Sequence, residues 1–130
     1  MNIVRLPGFQ DERGNLCWID GGSTVPFDIK RVFYFTDAPS ATIRGDHAHR
    51  KCHQFIVLLK GQMDMTLEHQ DGETSLIHMI PCGVGFHVLP MTWCKLNVSP
   101  GTICIVLASE HYDEADYIRD HEVFRKEIGR

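Results

Sequence analysis

His47 and His49 stand one residue apart in the run Arg44-Gly45-Asp46-His47-Ala48-His49-Arg50-Lys51-Cys52-His53-Gln54, and Gln54 follows five residues after the second histidine. Residues i and i+2 of a strand project to the same face. The two imidazoles therefore point into one space, and Gln54, returning on the next strand after a short turn, can reach it. Imidazole titrates near neutrality, so a close pair suits the removal and return of a proton. Metal binding is the other chemistry that histidine pairs serve. Here the third donor would be the Gln54 amide, a weak neutral ligand for a transition metal, and two histidines alone make a poor site. The plain alternative is that one or both histidines are hydrogen-bonded interior groups. An arginine three residues upstream, Arg44, tips the pair toward chemistry.

The elements that must position these residues read as strands. Lys30–Phe35 is rich in branched and aromatic residues. Ile43–His49 carries the histidines. Gln54–Leu59 is a nearly continuous apolar run, typical of a strand buried on both faces. Met63–Glu68 alternates strictly and should be half exposed, and Asp71-Gly72 turns it into a returning strand, Thr74–Met79. Phe86–Leu89, Thr92–Val98 and Thr102–Ala108 follow, with shorter strands expected over residues 3–6 and Asn15–Asp20 and a turn at Asp11–Gly14. Strands recurring every 8–12 residues or so with Gly, Pro or Asp turns between them indicate an all-β sandwich or barrel. Only the tail changes character. In Asp113–Ile128, Ala115, Tyr117, Ile118, Val123, Phe124 and Ile128 fall at rough helical spacing, and Asp113 and Asp116 read as helix N-terminal charge.

Bulk properties narrow the function. The 130 residues suit one domain, 1–130, with a real core. A net charge of −4 is wrong for a surface built to hold nucleic acid or an acidic membrane. There is no apolar run long enough for a transmembrane helix, and the start lacks the apolar core of a signal peptide. The cysteines, Cys17, Cys52, Cys82, Cys94 and Cys104, are odd in number with no C-x-x-C pair. That favours reduced thiols in a cytoplasmic protein. No glycine fingerprint for phosphate binding is present.

The spacing His-x-His-x4-Gln-x6-Gly61 resembles the first metal motif of the cupins, which are small jelly-roll barrels. It differs in having Gln54 where a carboxylate would stand, and no histidine occurs in Pro90–Lys95, where the fourth ligand would come. Longer stretches are more specific. Ile29–Phe35, Arg44-Gly45-x-His47-Ala48-His49-Arg50-Lys51, Val106–Ser109, and Tyr112-Asp113-Glu114-x-Asp116-Tyr117-Ile118-Arg119-Asp120 followed by Phe124 together resemble the WxcM-like sugar 3,4-ketoisomerase family, and the likeness runs from about Arg13 to Phe124. The resemblance implies a cupin-type jelly-roll barrel with a short C-terminal helical segment. It implies a homodimer acting on dTDP-4-keto-6-deoxyglucose in the biosynthesis of deoxyamino sugars for O-antigen and surface glycans; the reaction needs no redox cofactor, and the weak ligand set argues for no metal. Some members carry a histidine directly after the tryptophan matching Trp93; here Cys94 stands there.

Moving a ketone from C4 to C3 of a hexose needs a base, a proton donor and hydrogen bonds to the enediolate oxygens. His47 and His49 fit the proton transfers, and the sequence does not say which one takes the C3 proton. Arg44 lies an odd number of residues from both histidines and faces away from them in a regular strand. A bulge at Gly45 would bring it to the pocket, where a guanidinium can hold a diphosphate or an enediolate oxygen. Tyr34, Arg31, Gln54 and Trp93 complete the candidate substrate-binding set. Core packing competes for Tyr34 and for Trp93 and Trp18, whose rings could instead stack on a base or sugar. Two readings from other classes stand beside the isomerase. One is a non-catalytic nucleotide-sugar-binding cupin, and the other is a metal-dependent cupin enzyme. A 3,5-epimerase is a nearer relative in chemistry, since it would exchange protons without moving the carbonyl.

Overall fold

The structure, a computed structural model, describes residues 2–130. Twelve strands run in chain order as β1 (Ile3–Arg5), β2 (Gly8–Asp11), β3 (Gly14–Cys17), β4 (Arg31–Phe35), β5 (Thr42–His49), β6 (Gln54–Lys60), β7 (Met63–Glu68), β8 (Thr74–Met79), β9 (Val84–Val88), β10 (Trp93–Val98), β11 (Ile103–Ala108) and β12 (Tyr117–Ile118), followed by a helix, α1 (His121–Glu127). They form two five-stranded antiparallel sheets, ordered β1-β9-β6-β11-β4 and β12-β5-β10-β7-β8, with β2 and β3 as a separate hairpin. This is the expected all-β jelly roll, with one short helix at its C-terminal end. Among the described residues, no helix is long and apolar enough to cross a membrane.

Burial patterns explain the strands. β7 alternates buried Met63, Met65 and Leu67 with more exposed Asp64, Thr66 and Glu68, so only one of its faces meets the core. β6 lies between β9 and β11 and is covered on both faces. Ile56 and Leu58 join the core between the sheets, while Phe55 and Val57 pack under Val25, Phe27 and Ile29 of the N-terminal segment. Gly85 on β9 leaves room for the Phe55 ring, which lies 2.1 Å from where a Cβ on Gly85 would be. Any larger residue there must displace a fully buried aromatic side chain, the type whose truncation costs roughly 3–5 kcal/mol.

Two segments differ from their sequence patterns. The N-terminal hairpin has a strand over Gly8–Asp11 that no periodicity marks, because every residue of β2 and β3 is exposed. The tail is helical only from His121. Its start is set by Asp120, whose carboxylate accepts the Glu122 and Val123 N–H groups as an N-cap. Upstream, one 3-10 turn over Glu114–Asp116 leads into β12, which pairs with the end of β5 as Tyr117↔His49 and Ile118↔Ala48. Phe124 then packs beside Trp93, Ala48 and Ile118. The tail thus closes the edge of β5 and reaches the histidines.

Candidate active site

β5 is not a regular strand. Its pairing with β10 shifts register between Cys94↔His47 and Lys95↔Gly45. Gly45 at φ 72° and Asp46 at φ 62° make the bulge. Glycine takes this left-handed backbone freely and aspartate tolerates it. The Asp46 carboxylate is also tied down, accepting the Trp93 indole N–H at 3.0 Å. The extra residue reverses the alternation, so Arg44 and His47 both line one cavity of about 200 Å³. Tyr34, Gln54, Cys94 and Tyr117 are also in its wall.

His47 and His49 lie with ring centroids 5.0 Å apart and nearly perpendicular, at 84°. Tyr117 sits against both, at 5.0 Å from His47 and 4.2 Å from His49. His47 contributes to the cavity wall, while His49 is 5% exposed and lies next to it under Tyr117. Each ring presents one buried nitrogen with no hydrogen-bond partner, Nδ1 of His47 and Nε2 of His49. The other side of His49 is occupied: its Nδ1 lies 3.0 Å from Asp116 Oδ2. Burial, and then the neighbouring His49, push the His47 imidazole down to about 4. Burial also lowers His49, while its hydrogen bond to Asp116 pulls the other way. Neutral imidazoles, able to accept a proton, are the result at neutral pH.

The remaining sequence candidates are distributed unevenly. Gln54 is buried and on the cavity wall, and Tyr34 is 72% exposed at its rim. The Arg44 guanidinium stacks over the Phe35 ring at 4.9 Å. Arg31 lies outside the wall, its guanidinium over Phe33 at 5.4 Å and Tyr112 at 5.7 Å, with a buried Nε that has no partner. Its charge still reaches the site, since it lowers His49. Trp93 is the candidate that the structure removes from the cavity. Its ring is 8% exposed and packs on Phe124, and its N–H is spent on Asp46, so it has no free face for a sugar or base. Cys94 is on the wall as a neutral thiol, burial pushing it up to about 12.

Three groups near the histidines come from the tail and lie outside the sequence candidates: Asp116, Tyr117 and Arg119. Asp116 is not helix N-terminal charge but a buried partner of His49. The Arg119 guanidinium lies over Tyr117 at 4.3 Å and pairs with Glu114 at 2.6 Å, holding that carboxyl down to about 2. The available signal was Asp120, a strong N-cap type that starts the helix at 121 and frees Tyr117 and Ile118 to extend.

A transition metal does not fit the His47, His49 and Gln54 set. Its third donor is a neutral amide, a weak ligand that leaves two imidazoles without a charged partner. His49, Cys52 and Asp116 bring a nitrogen, a sulfur and an oxygen within 4.8 Å of one another. Those atoms are already engaged: Asp116 accepts the Lys51 and Cys52 N–H groups, and the Cys52 thiol donates to the His53 carbonyl.

The family model described as "FdtA: WxcM-like, C-terminal" matches residues 1–129. A TDP-4-oxo-6-deoxy-alpha-D-glucose-3,4-oxoisomerase of Aneurinibacillus thermoaerophilus is 38% identical, the match covering 98% of this chain and 92% of that one. The crystal structure of QdtA, a sugar 3,4-ketoisomerase of Thermoanaerobacterium thermosaccharolyticum in complex with TDP, superposes with a TM-score of 0.90 at 35% identity, covering 97% of this chain and 92% of that one. A histidine-to-asparagine mutant of the same enzyme was crystallised with TDP-4-keto-6-deoxyglucose, matching with a TM-score of 0.90. A 3,4-ketoisomerase of Helicobacter canadensis gives a TM-score of 0.91 at 29% identity, covering 98% and 96% of the two chains.

Proposed function

This chain belongs to the WxcM-like FdtA family of sugar 3,4-ketoisomerases and isomerises TDP-4-keto-6-deoxyglucose, and we propose that His47 and His49 carry its proton transfers. The product is the 3-keto-6-deoxyhexose still linked to TDP. The C4 carbonyl acidifies the C3–H. One histidine takes that proton and the C3–C4 enediolate forms. A proton returned to C4 then leaves the carbonyl at C3 and a hydroxyl at C4. Atoms and electrons balance within the sugar, so the reaction consumes no oxidant or reductant.

The observation that carries this reading is the pair of buried, unpartnered imidazole nitrogens, one on each ring, beside a cavity that also holds Arg44 and Gln54. Arg44 and Gln54 supply hydrogen bonds to the developing enediolate, the role in which fixed donors contribute most. Tyr34, at the rim, and Arg31, beyond it, are assigned to the sugar and phosphate oxygens of the substrate. His47→Asn and His49→Asn should each keep the fold and TDP binding while cutting turnover by about 10²–10⁴-fold, with non-additive effects in the double variant. Near wild-type turnover in both would make the pair structural.

The same reading takes residues 1–130 as one cupin domain that works as a homodimer in the cytoplasm, the reducing compartment that five unpaired cysteines suit. Phe9 and Leu16 on the hairpin are 69% and 58% exposed, and on the sheet-edge strand β4 Val32 is 53% exposed. Apolar edges of this kind call for a covering surface. Sedimentation at micromolar concentration should give a dimer, and a monomer would count against it.

A further inference from the structure

We infer that Asp116 is the positioning residue of this site: it holds His49 with the proton on Nδ1, so that Nε2 is the proton acceptor of the histidine pair. This rests on the isomerase reading above. A carboxylate only accepts hydrogen bonds, so the ring nitrogen 3.0 Å from Asp116 Oδ2 must be the one that donates. The remaining nitrogen, Nε2, then carries a lone pair, and it is the buried atom without a partner.

The carboxylate is itself fixed. Its Oδ1 accepts the Lys51 N–H at 2.7 Å, and its Oδ2 accepts the Cys52 N–H at 3.2 Å as well as the His49 N–H. The Arg50 N–H donates to the Asp116 carbonyl at 2.9 Å, and the Asp116 N–H donates to the Asp113 carbonyl at 3.0 Å. The bonds from Arg50, Lys51 and Cys52 tie the turn after β5 to the segment before β12, and the one to Asp113 fixes that segment's own turn. Asp116 and His49 are 9% and 5% exposed, so water does not compete for the pair. His47 has no such carboxylate partner, and its Nδ1 is unpartnered. The two imidazoles are therefore inequivalent. His49 is the one whose tautomer is set and whose basicity a carboxylate supports, the relationship by which an acidic group behind a histidine prepares it as a base.

A role limited to tying the two segments together would lower stability in a variant without altering the proton chemistry. The test therefore reads both. Asp116→Asn can keep its oxygen on the Lys51 N–H while its N–H₂ group takes the place of Oδ2, which leaves the Cys52 N–H without an acceptor and forces the His49 proton onto Nε2. In the full-length enzyme we expect TDP affinity close to wild type, kcat reduced by about 10²–10⁴-fold, and the acid limb of the kcat profile moved to lower pH, because the group that raises His49 is gone. Wild-type kcat with an unmoved acid limb would overturn the proposal. Independently of how the variant folds, ¹⁵N NMR of the wild-type protein, with His49 assigned from His49→Asn, should show a protonated Nδ1 and an unprotonated Nε2. The opposite tautomer would overturn the proposal as well. Wild-type turnover measured alongside separates the two claims: an enzyme that moves no carbonyl contradicts the isomerase reading, while the His49 tautomer still decides the role of Asp116.

Discussion

Arg44 and His47 share one face of β5 because the backbone of Gly45 and Asp46 between them is left-handed, at φ 72° and 62°. Three residues apart on a regular strand, they would point to opposite faces. The bulge thus places a cation and an imidazole in the same cavity, and it does so on the strand that also carries His49. The two functions of β5, sheet partner of β10 and wall of the site, are reconciled at one register shift.

Gly45→Ala tests that relationship. A Cβ there would lie 3.0 Å from the Cys94 carbonyl oxygen, on backbone that L-residues adopt only with strain. Denaturant titration should show a loss of about 1–3 kcal/mol. Turnover should fall further than stability explains, since relief of the strain moves Arg44 or His47 off the cavity wall. A variant equal to wild type in both would show that the bulge is not needed.

The site was only partly legible in the sequence, for physical reasons. β6, β7 and β11 are written in local apolar patterns, because one or both of their faces meet the core along the whole strand. The histidine pair was legible from its period of two. Gly45 signalled the bulge, but Asp46 completes it, and an aspartate in left-handed backbone leaves no pattern of its own. Asp116 was hidden twice over. Its partner His49 is 67 residues away, and Tyr117 and Ile118 beside it fall on a helical period although pairing with β5 makes them a strand. Trp93 enters the candidate set as a ring able to stack on a base or sugar. Alternation along β10 puts Cys94 on the cavity wall and sends Trp93 to the opposite side, onto Phe124.

The buried histidines also set a pH dependence of stability. His47 titrates near 6.5 when unfolded and is lowered to about 4 in the folded protein, chiefly by burial. Between those values the unfolded chain binds the proton more readily, so stability rises with pH across that window. The contribution is fully present above 6.5 and is lost as pH falls through about 4. His49 is shifted in the same direction. Urea titrations of the wild type at pH 7 and pH 5 should therefore show a loss at pH 5 that is smaller in His47→Asn, which removes a titrating group. An identical loss in both proteins would mean that His47 is not the group penalised by burial.

The most direct test of the isomerase assignment follows the carbonyl itself. TDP-4-keto-6-deoxyglucose labelled with ¹³C in the sugar ring is incubated with the purified protein in D₂O and observed by NMR. The expected result is transfer of the carbonyl resonance from C4 to C3, with solvent deuterium appearing at C4 of the product. A carbonyl that stays at C4 while deuterium enters C3 and C5 would identify an epimerase, and tight binding with neither change would identify a sugar-binding protein. Either result would contradict the assignment of this chain as a 3,4-ketoisomerase.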